Sequence, residues 1–582
     1  MPSDERAPDE RMPGERVPDE RAPGEPTIPA LLAVRRRLDS SVQALVSDED
    51  AITFAGLDEA SRRLAARLVA AGVGRDSRVG LVMPNGIDWA VLALAVTRVG
   101  GVLVPLSTLL RPPELLAQLR TAAVTELVVV PRFRGRAYLD DLEEAVPGLT
   151  EQVRGGAPHA EVPSLRRLWL SGDLPTGAAP GAVVDELERS VRPADDLVIL
   201  FTSGSSGGPK GVIHTHGNAL RAVESGLGAR RIGRGERLYI PMPFFWTGGL
   251  GGGLLSALVA GATLLTEAEP EPARTLRFLE RERVTLFRGW PDQAARLAAH
   301  PDFATTDLSS LRPASLGAVL PPGLRAGPGA RANLFGMTET FGPYCGSPLD
   351  TDLPAGKHGS CGRPFAGVEV RITDPGTGAP LPPGTEGEIR LRGPNLMRGI
   401  RGRHRADVFD ADGFYPTADA GVLDEDGYLW YRGRLDDMFK VKGATVYPLE
   451  VEAALRALPG VREAFVTDVA GEAGGRQVAA LVVAALPEGE NRRDGPDGPD
   501  GPDGRAGPDG LDRADDRQGA GRDGRDGWHG RAGLVEQARA RLSSFKVPTR
   551  WLVVNDPHDV PRLASGKVDG GALRRLLQEK GA

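Results

Sequence analysis

Short apolar runs rich in β-branched residues alternate with helix-patterned segments along most of this chain, and that alternation constrains the fold more than any other feature. Val79–Met83, Leu127–Val130 and Leu197–Phe201 read as buried strands, while Leu57–Ala70 and Ala90–Val99 carry helical periodicity. Strands and helices in alternation pack as layered α/β/α structure around largely parallel sheets. From about Asp436 a smaller unit begins, with a helix near Leu449–Leu458, strands at Glu463–Val469 and Val478–Val483, and a last helix at Gly571–Gln578. The expectation is an α/β chain with a large N-terminal domain over residues 28–435 and a small α+β C-terminal domain over 436–582.

Two stretches fall outside this rhythm. Residues 1–27 repeat a five-residue unit, SDERA, PDERM, PGERV, PDERA, with almost nothing to bury, and read as a disordered tail. Residues 487–530 or so, with DGPDGPDGPDG and GRDGRDG, lack the apolar content to offset ordering entropy and read as a disordered insertion within the C-terminal domain.

Composition narrows the function. The chain has 582 residues, 41% of them hydrophobic, ample for large cores, and a net charge of -7 that gives no reason to expect nucleic acid or an anionic membrane as partner. Cys345 and Cys361 are too few for a disulfide framework and form no CxxC pair, so a cytoplasmic location is the default expectation. The N-terminus has no apolar stretch of the secretory kind. Leu238–Thr266 carries no charge and is long enough to span a bilayer, but Pro241, Pro243 and the glycines at 248, 249 and 251–253 read as a strand, a glycine-rich turn and a short helix from Leu254 to Val259.

Directly after the strand ending at Phe201 comes Thr202, Ser203, Gly204, Ser205, Ser206, Gly207, Gly208, Pro209, Lys210, Gly211. Glycines permit tight turns that expose backbone amides, hydroxyls add donors and Lys210 adds charge, so the string suits a nucleotide's phosphates. It is not the Walker pattern, which ends in Gly-Lys-Ser/Thr. The whole string resembles the signature loop of the adenylate-forming (AMP-binding) superfamily, of the acyl-CoA synthetase or fatty-acid-CoA ligase type, and the resemblance runs from about Leu31 to the C-terminus.

Further motifs follow in that family's order. Asn333–Thr340 is similar to its second nucleotide motif: Phe335 and Gly336 would lie against adenine, Thr338 would reach the α-phosphate and Glu339 would bind Mg²⁺. Asp412–Gly421 is similar to the Tyr-x-Thr-Gly-Asp segment, with Asp419 as acceptor for the ribose hydroxyls and Ala418 in place of the usual glycine. In Gly433–Pro448, Arg434 would touch ribose or phosphate, Asp436 matches the hinge and Gly443 the loop lining the thiol's approach. Lys440 matches a lysine near the carboxylate in some members, and Lys442 reads as a basic surface turn. Pro561–Asp569 resembles the C-terminal lysine loop, where the Lys567 ammonium would stabilise charge in adenylation.

The resemblance implies a mobile C-terminal lid, a small β-barrel-like part in the large domain, and ATP, Mg²⁺ and coenzyme A as substrates and ion. A carboxylate attacks the α-phosphate, pyrophosphate leaves, and a thiol then attacks the acyl-adenylate. Phe244, Phe245 and Trp246, with Gly317, are expected to line the acyl pocket. Amino-acid-activating members often carry an aspartate in this segment, and its replacement by aromatics favours an apolar fatty or aryl acid. The histidine common there in acyl-CoA synthetases is absent, and the link from Pro321–Leu324 to Asn333 is shorter than the family's usual strand and helix, so one pocket wall is expected to differ from the family's. A separate carrier protein is the alternative acceptor, and a non-catalytic nucleotide-binding member is the other alternative.

Overall fold

The computed structural model describes residues 26–48, 50–202, 209–435, 437–441, 444–471, 476–485, 530–542, 545–563 and 566–581. The expected tail and insertion lie outside them apart from their ends, which differ from expectation. Thr27 is buried and its side chain caps the helix Ile28–Asp39, and Gly530 opens the helix Gly530–Arg541. The chain divides into two compact units, Met1–Tyr431 and Arg432–Ala582.

In the first unit the chain passes through β1 (Gln43–Ser47), β2 (Asp50–Thr53), β3 (Arg78–Val82), β4 (Val102–Pro105), β5 (Glu126–Val129) and β6 (Arg167–Leu170). It continues through β7 (Asp196–Thr202), β8 (Lys210–Thr215), β9 (Arg237–Tyr239), β10 (Thr263–Thr266) and β11 (Leu286–Phe287). Seven strands form one sheet in the order of residues 399–400, then β8, β7, β4, β3, β5, β6, and five form another in the order β11, β9, β10, β1, β2. β3, β4, β5 and β7 pair in parallel and are almost wholly apolar and buried, as strands covered on both faces must be. The helices Phe54–Ala70 and Ile87–Thr97 join the main core, the second burying Trp89 and most of its neighbours.

After β11 the chain forms a small sheet from β12 (Phe335–Met337), β13 (Gly342–Gly346) and β14 (Arg363–Pro364). β15 (Glu369–Thr373), β16 (Glu386–Arg392), β17 (Gly399–Ile400), β18 (Tyr415–Leu423) and β19 (Leu429–Arg434) follow. β17 extends the seven-stranded sheet, and the other four make an open antiparallel sheet in the order β15, β16, β18, β19 where a barrel-like part was expected. In the second unit, Val461–Ala470 and Arg476–Ala484 pair antiparallel, Arg550–Val554 joins in parallel, and the helices Pro448–Arg456, Gly530–Arg541 and Gly570–Lys580 make it α+β.

One local reading is corrected. The glycines after Trp246 do not turn: residues 247–260 are helical, with the middle turn, Leu250–Leu255, wound as a π-helix. Close packing explains glycine here, since a Cβ on Gly249 would lie 2.1 Å from the Pro243 carbonyl oxygen and one on Gly251 3.0 Å from the Phe341 ring. No helix among the described residues is long and apolar enough to cross a membrane.

Candidate active site

The glycine-rich loop joins two antiparallel strands. β7 and β8 pair so that Thr202 stands opposite Lys210 and Phe201 opposite Gly211, which fixes both ends of the loop. Ser203, Gly204, Ser205, Ser206 and Gly207 lie outside the described residues. The Gly211 carbonyl accepts a hydrogen bond from Arg401 N at 2.8 Å, tying β8 to the strand beyond it.

β8 then delivers His214, which sequence reasoning did not single out. Its Nε2 donates to the Thr338 carbonyl at 2.8 Å, and its Nδ1 accepts from Asn218 Nδ2 at 2.7 Å. The Asn218 donor requires a neutral ring carrying its proton on Nε2, and burial pulls the His214 pKa down to about 4. Asn218 is itself placed by the capping box with Thr215 at the start of the helix His216–Ser225. The signal that could have revealed His214 is a polar ring within the strand run Val212-Ile213-His214.

Thr338 and Glu339 sit in a single 3₁₀ turn between β12 and β13. Gly336 faces the opposite strand so closely that a Cβ would lie 2.2 Å from the Gly342 carbonyl oxygen. The Phe335 ring lies 4.5 Å from that of Tyr431 and 5.5 Å from that of Tyr344. Glu339 is 8% exposed and its Oε1 accepts from the Tyr415 hydroxyl at 3.1 Å, so the segment Asp412–Gly421 meets the second nucleotide motif through a side chain. Among the described residues no group of three or more His, Cys, Asp or Glu side chains could hold a metal ion.

In β18 the ladder with β16 shifts register beside Thr417–Asp419. Ala418 adopts φ 58°, the left-handed region that favours glycine, and its N–H donates to Glu388 Oε1 at 3.2 Å. Asp419 is buried, and its N–H donates to Thr417 Oγ1 at 3.0 Å.

The expected acyl-pocket residues differ in burial. Phe244 is fully buried against Trp89 at 5.2 Å, while Phe245, Trp246 and Trp290 form an edge-to-face series with centroids 5.1 and 5.6 Å apart. Asn85 holds this segment, donating to the Met242 carbonyl at 2.9 Å and accepting from Phe244 N at 2.7 Å. Gly317 is exposed, with nothing within 4 Å of a built Cβ. Residues 321–329 are all exposed, and no helix or strand occupies 325–334.

In the second unit, Arg434 ends β19 and is part-exposed. Lys440 stands opposite Thr445 in the hairpin of Phe439–Val441 and Ala444–Val446. The Lys440 side chain and residues Asp436 and Gly443 lie outside what is described. Lys567 is exposed in a tight loop closed by Leu563 N to the Lys567 carbonyl at 2.7 Å, with Gly566 at φ 81°.

A phosphate-suited loop between paired strands, linked through His214 to a turn bearing a threonine and a carboxylate, is the arrangement of a nucleotide-using enzyme. The chain belongs to the AMP-binding enzyme family, whose profile matches residues 34–401. It is 32% identical over 565 residues to a Mycobacterium tuberculosis CoA ligase for a methyl-dioxo-octahydroindenyl propanoyl group, covering 94% of this chain and 99% of that protein. It is 30% identical over 547 residues to feruloyl-CoA synthase of an Amycolatopsis species, covering 93% and 97%. The fold is that of ATP-bound MatB from Rhodopseudomonas palustris, with a TM-score of 0.72 over 96% of this chain and 99% of that one, at 24% identity.

Proposed function

We propose that the chain is an AMP-forming acid:CoA ligase: it joins a carboxylic acid to AMP with release of pyrophosphate, then transfers the acyl group to coenzyme A. The observation that carries the reading is the 2.8 Å bond from His214 to the Thr338 carbonyl, which ties the strand leaving the glycine-rich loop to the turn bearing Glu339. Two relatives that match nearly the whole chain are CoA ligases, which supports coenzyme A as the acceptor.

Thr202, the serines and glycines of the loop and Lys210 hold the phosphates of ATP, Thr338 reaches the α-phosphate, Phe335 packs on the adenine, and Gly336 belongs to the same nucleotide-binding segment. Asp419 and Arg434 take the ribose. Glu339 suits Mg²⁺ arriving with ATP, because one hard carboxylate oxygen leaves coordination positions for water and phosphate oxygens. The ion, when bound, neutralises phosphate charge. Attack by the acid's carboxylate oxygen on the α-phosphorus forms a C–O–P mixed anhydride and breaks the bond to pyrophosphate. Lys567, assisted by Lys440, stabilises the charge that develops there. The second unit then swivels at Asp436, removing Lys567 and bringing Gly443 beside the thiol, which attacks the carbonyl and expels AMP.

The aromatic series Phe245, Trp246 and Trp290 favours an acid with an apolar, ring-bearing body. The names of the two relatives, a bicyclic propanoyl and a feruloyl ligase, support the same class. Two buried free cysteines accord with a reducing, cytoplasmic location.

The test is ATP–pyrophosphate exchange over straight-chain, branched, aryl and amino acids, followed by thioester detection with coenzyme A. Exchange and thioester with an apolar class are expected. Exchange with amino acids alone, or a thioester only on a carrier protein, would overturn the reading.

A further inference from the structure

Two residues before Trp290 stands Arg288, and it is hydrogen-bonded to the backbone of Arg230; among the described residues neither arginine has a salt-bridge partner. Arg288 follows β11 directly, its N–H donating to the Tyr239 carbonyl at 2.9 Å, so it stands at the carboxyl end of the parallel strands β9 and β11. Trp290, two residues on, meets Trp246, which the strand β9 leads into. Clefts at carboxyl ends of parallel strands are where α/β sheets place ligands.

Arg230 is 6% exposed, and its guanidinium is taken up by neutral acceptors: the carbonyls of Val223 at 3.0 Å and Gly226 at 3.2 Å, and Ser256 Oγ at 2.9 Å. Arg288 donates through one terminal nitrogen to the Arg230 carbonyl, while its buried Nε has no partner. Neither arginine forms a salt bridge among the described residues. Asp350, the carboxylate that most tempers Arg288, is bound by Arg231 at 2.7 Å. Burial and the neighbouring Arg230 charge draw the Arg288 guanidinium down to about 9, and burial draws Arg230 to about 10. A buried charge without a partner is costly, and a guanidinium is matched best by a carboxylate.

We propose that Arg288, backed by Arg230, binds a second, anionic oxygen group at the far end of the acid, so that the preferred substrates are acids with an apolar body and a distal carboxylate. The proposal rests on the ligase reading above and specifies its acid. Arg288 makes the contact through its unpartnered donors, and Arg230 adds positive field without contact. The aromatic series holds the body between the two ends.

The experiment is ATP–pyrophosphate exchange with matched acids: phenylpropanoic acid against its para-carboxy and para-acetyl forms, hexanoic against adipic acid, and octanoic against suberic acid. The wild-type chain is expected to favour the dicarboxylate in at least one pair by about tenfold or more in kcat/KM. Arg288→Met is expected to erase that preference while keeping exchange with the monocarboxylate, which also reports that the variant is folded, and Arg288→Lys to keep part of it. Monocarboxylates favoured in every pair, an equal gain from the acetyl form, or loss of both activities in parallel in folded Arg288→Met would overturn the proposal. Exchange with monocarboxylates alone leaves the ligase reading standing, whereas no exchange with any acid removes both. Should Arg288→Met fail to fold, the wild-type pairs alone decide.

Discussion

The Tyr415 hydroxyl donates to Glu339 Oε1 at 3.1 Å, so the carboxylate proposed for magnesium is oriented by a strand 76 residues further along the chain. One oxygen is thereby held and the other left to coordinate. Glu339→Gln is expected to lower exchange by about 100-fold, the scale of removing a transition-state charge contact. Tyr415→Phe is expected to lower it by about tenfold and to raise the magnesium needed for half-maximal rate. Exchange rates across a magnesium titration check both, and a Tyr415→Phe enzyme with unchanged magnesium dependence would refute the orienting role.

Lys567 is exposed in its closed loop and serves only the first half-reaction in this mechanism. Lys567→Ala is expected to reduce adenylate formation by about 100-fold or more while leaving thioester formation from synthetic acyl-adenylate within about threefold of wild type. Equal loss in both half-reactions would show that the lysine does not act by leaving.

His216 is buried, its Nδ1 accepts from Ile28 N at 3.2 Å, and its Nε2 has no partner. Burial lowers its pKa from 6.5 to about 4. Between those values the unfolded chain holds a proton that the folded one does not, so stability falls as pH drops from 6.5 toward 4. His216→Gln is expected to flatten this fall by up to about 1.4 kcal/mol per pH unit in denaturant titrations of the first unit's unfolding. An unchanged slope would place the proton uptake elsewhere.

Ala418 bears a side chain at φ 58°. Ala418→Gly is expected to raise stability by up to about 1 kcal/mol, read as a higher melting temperature for the first unit. A lower melting temperature would show that the methyl group's packing outweighs the backbone cost.

Strand runs such as Leu197–Phe201 and the family's ordered motifs were legible because each is a local pattern: apolar side chains over a strand's length, or residue types in a fixed order. What escaped was set by distant partners. Gly249 and Gly251 read as a turn by propensity, yet the Pro243 carbonyl and the Phe341 ring press against them and a helix results. The bond from His214 to Thr338 spans 124 residues, and the unpartnered Nε of Arg288 is apparent only once its described neighbours are known. Gly317, expected in the acyl pocket, is exposed at the start of a 3₁₀ turn.

The exposed stretch at 321–329, which holds only a single 3₁₀ turn at Pro322–Leu324, bears on how such a chain diversifies. Residues that bury little surface and anchor no sheet can be exchanged, lengthened or shortened at small cost to folding. A directed library can therefore vary this stretch freely while the buried strands of the two large sheets stay as they are.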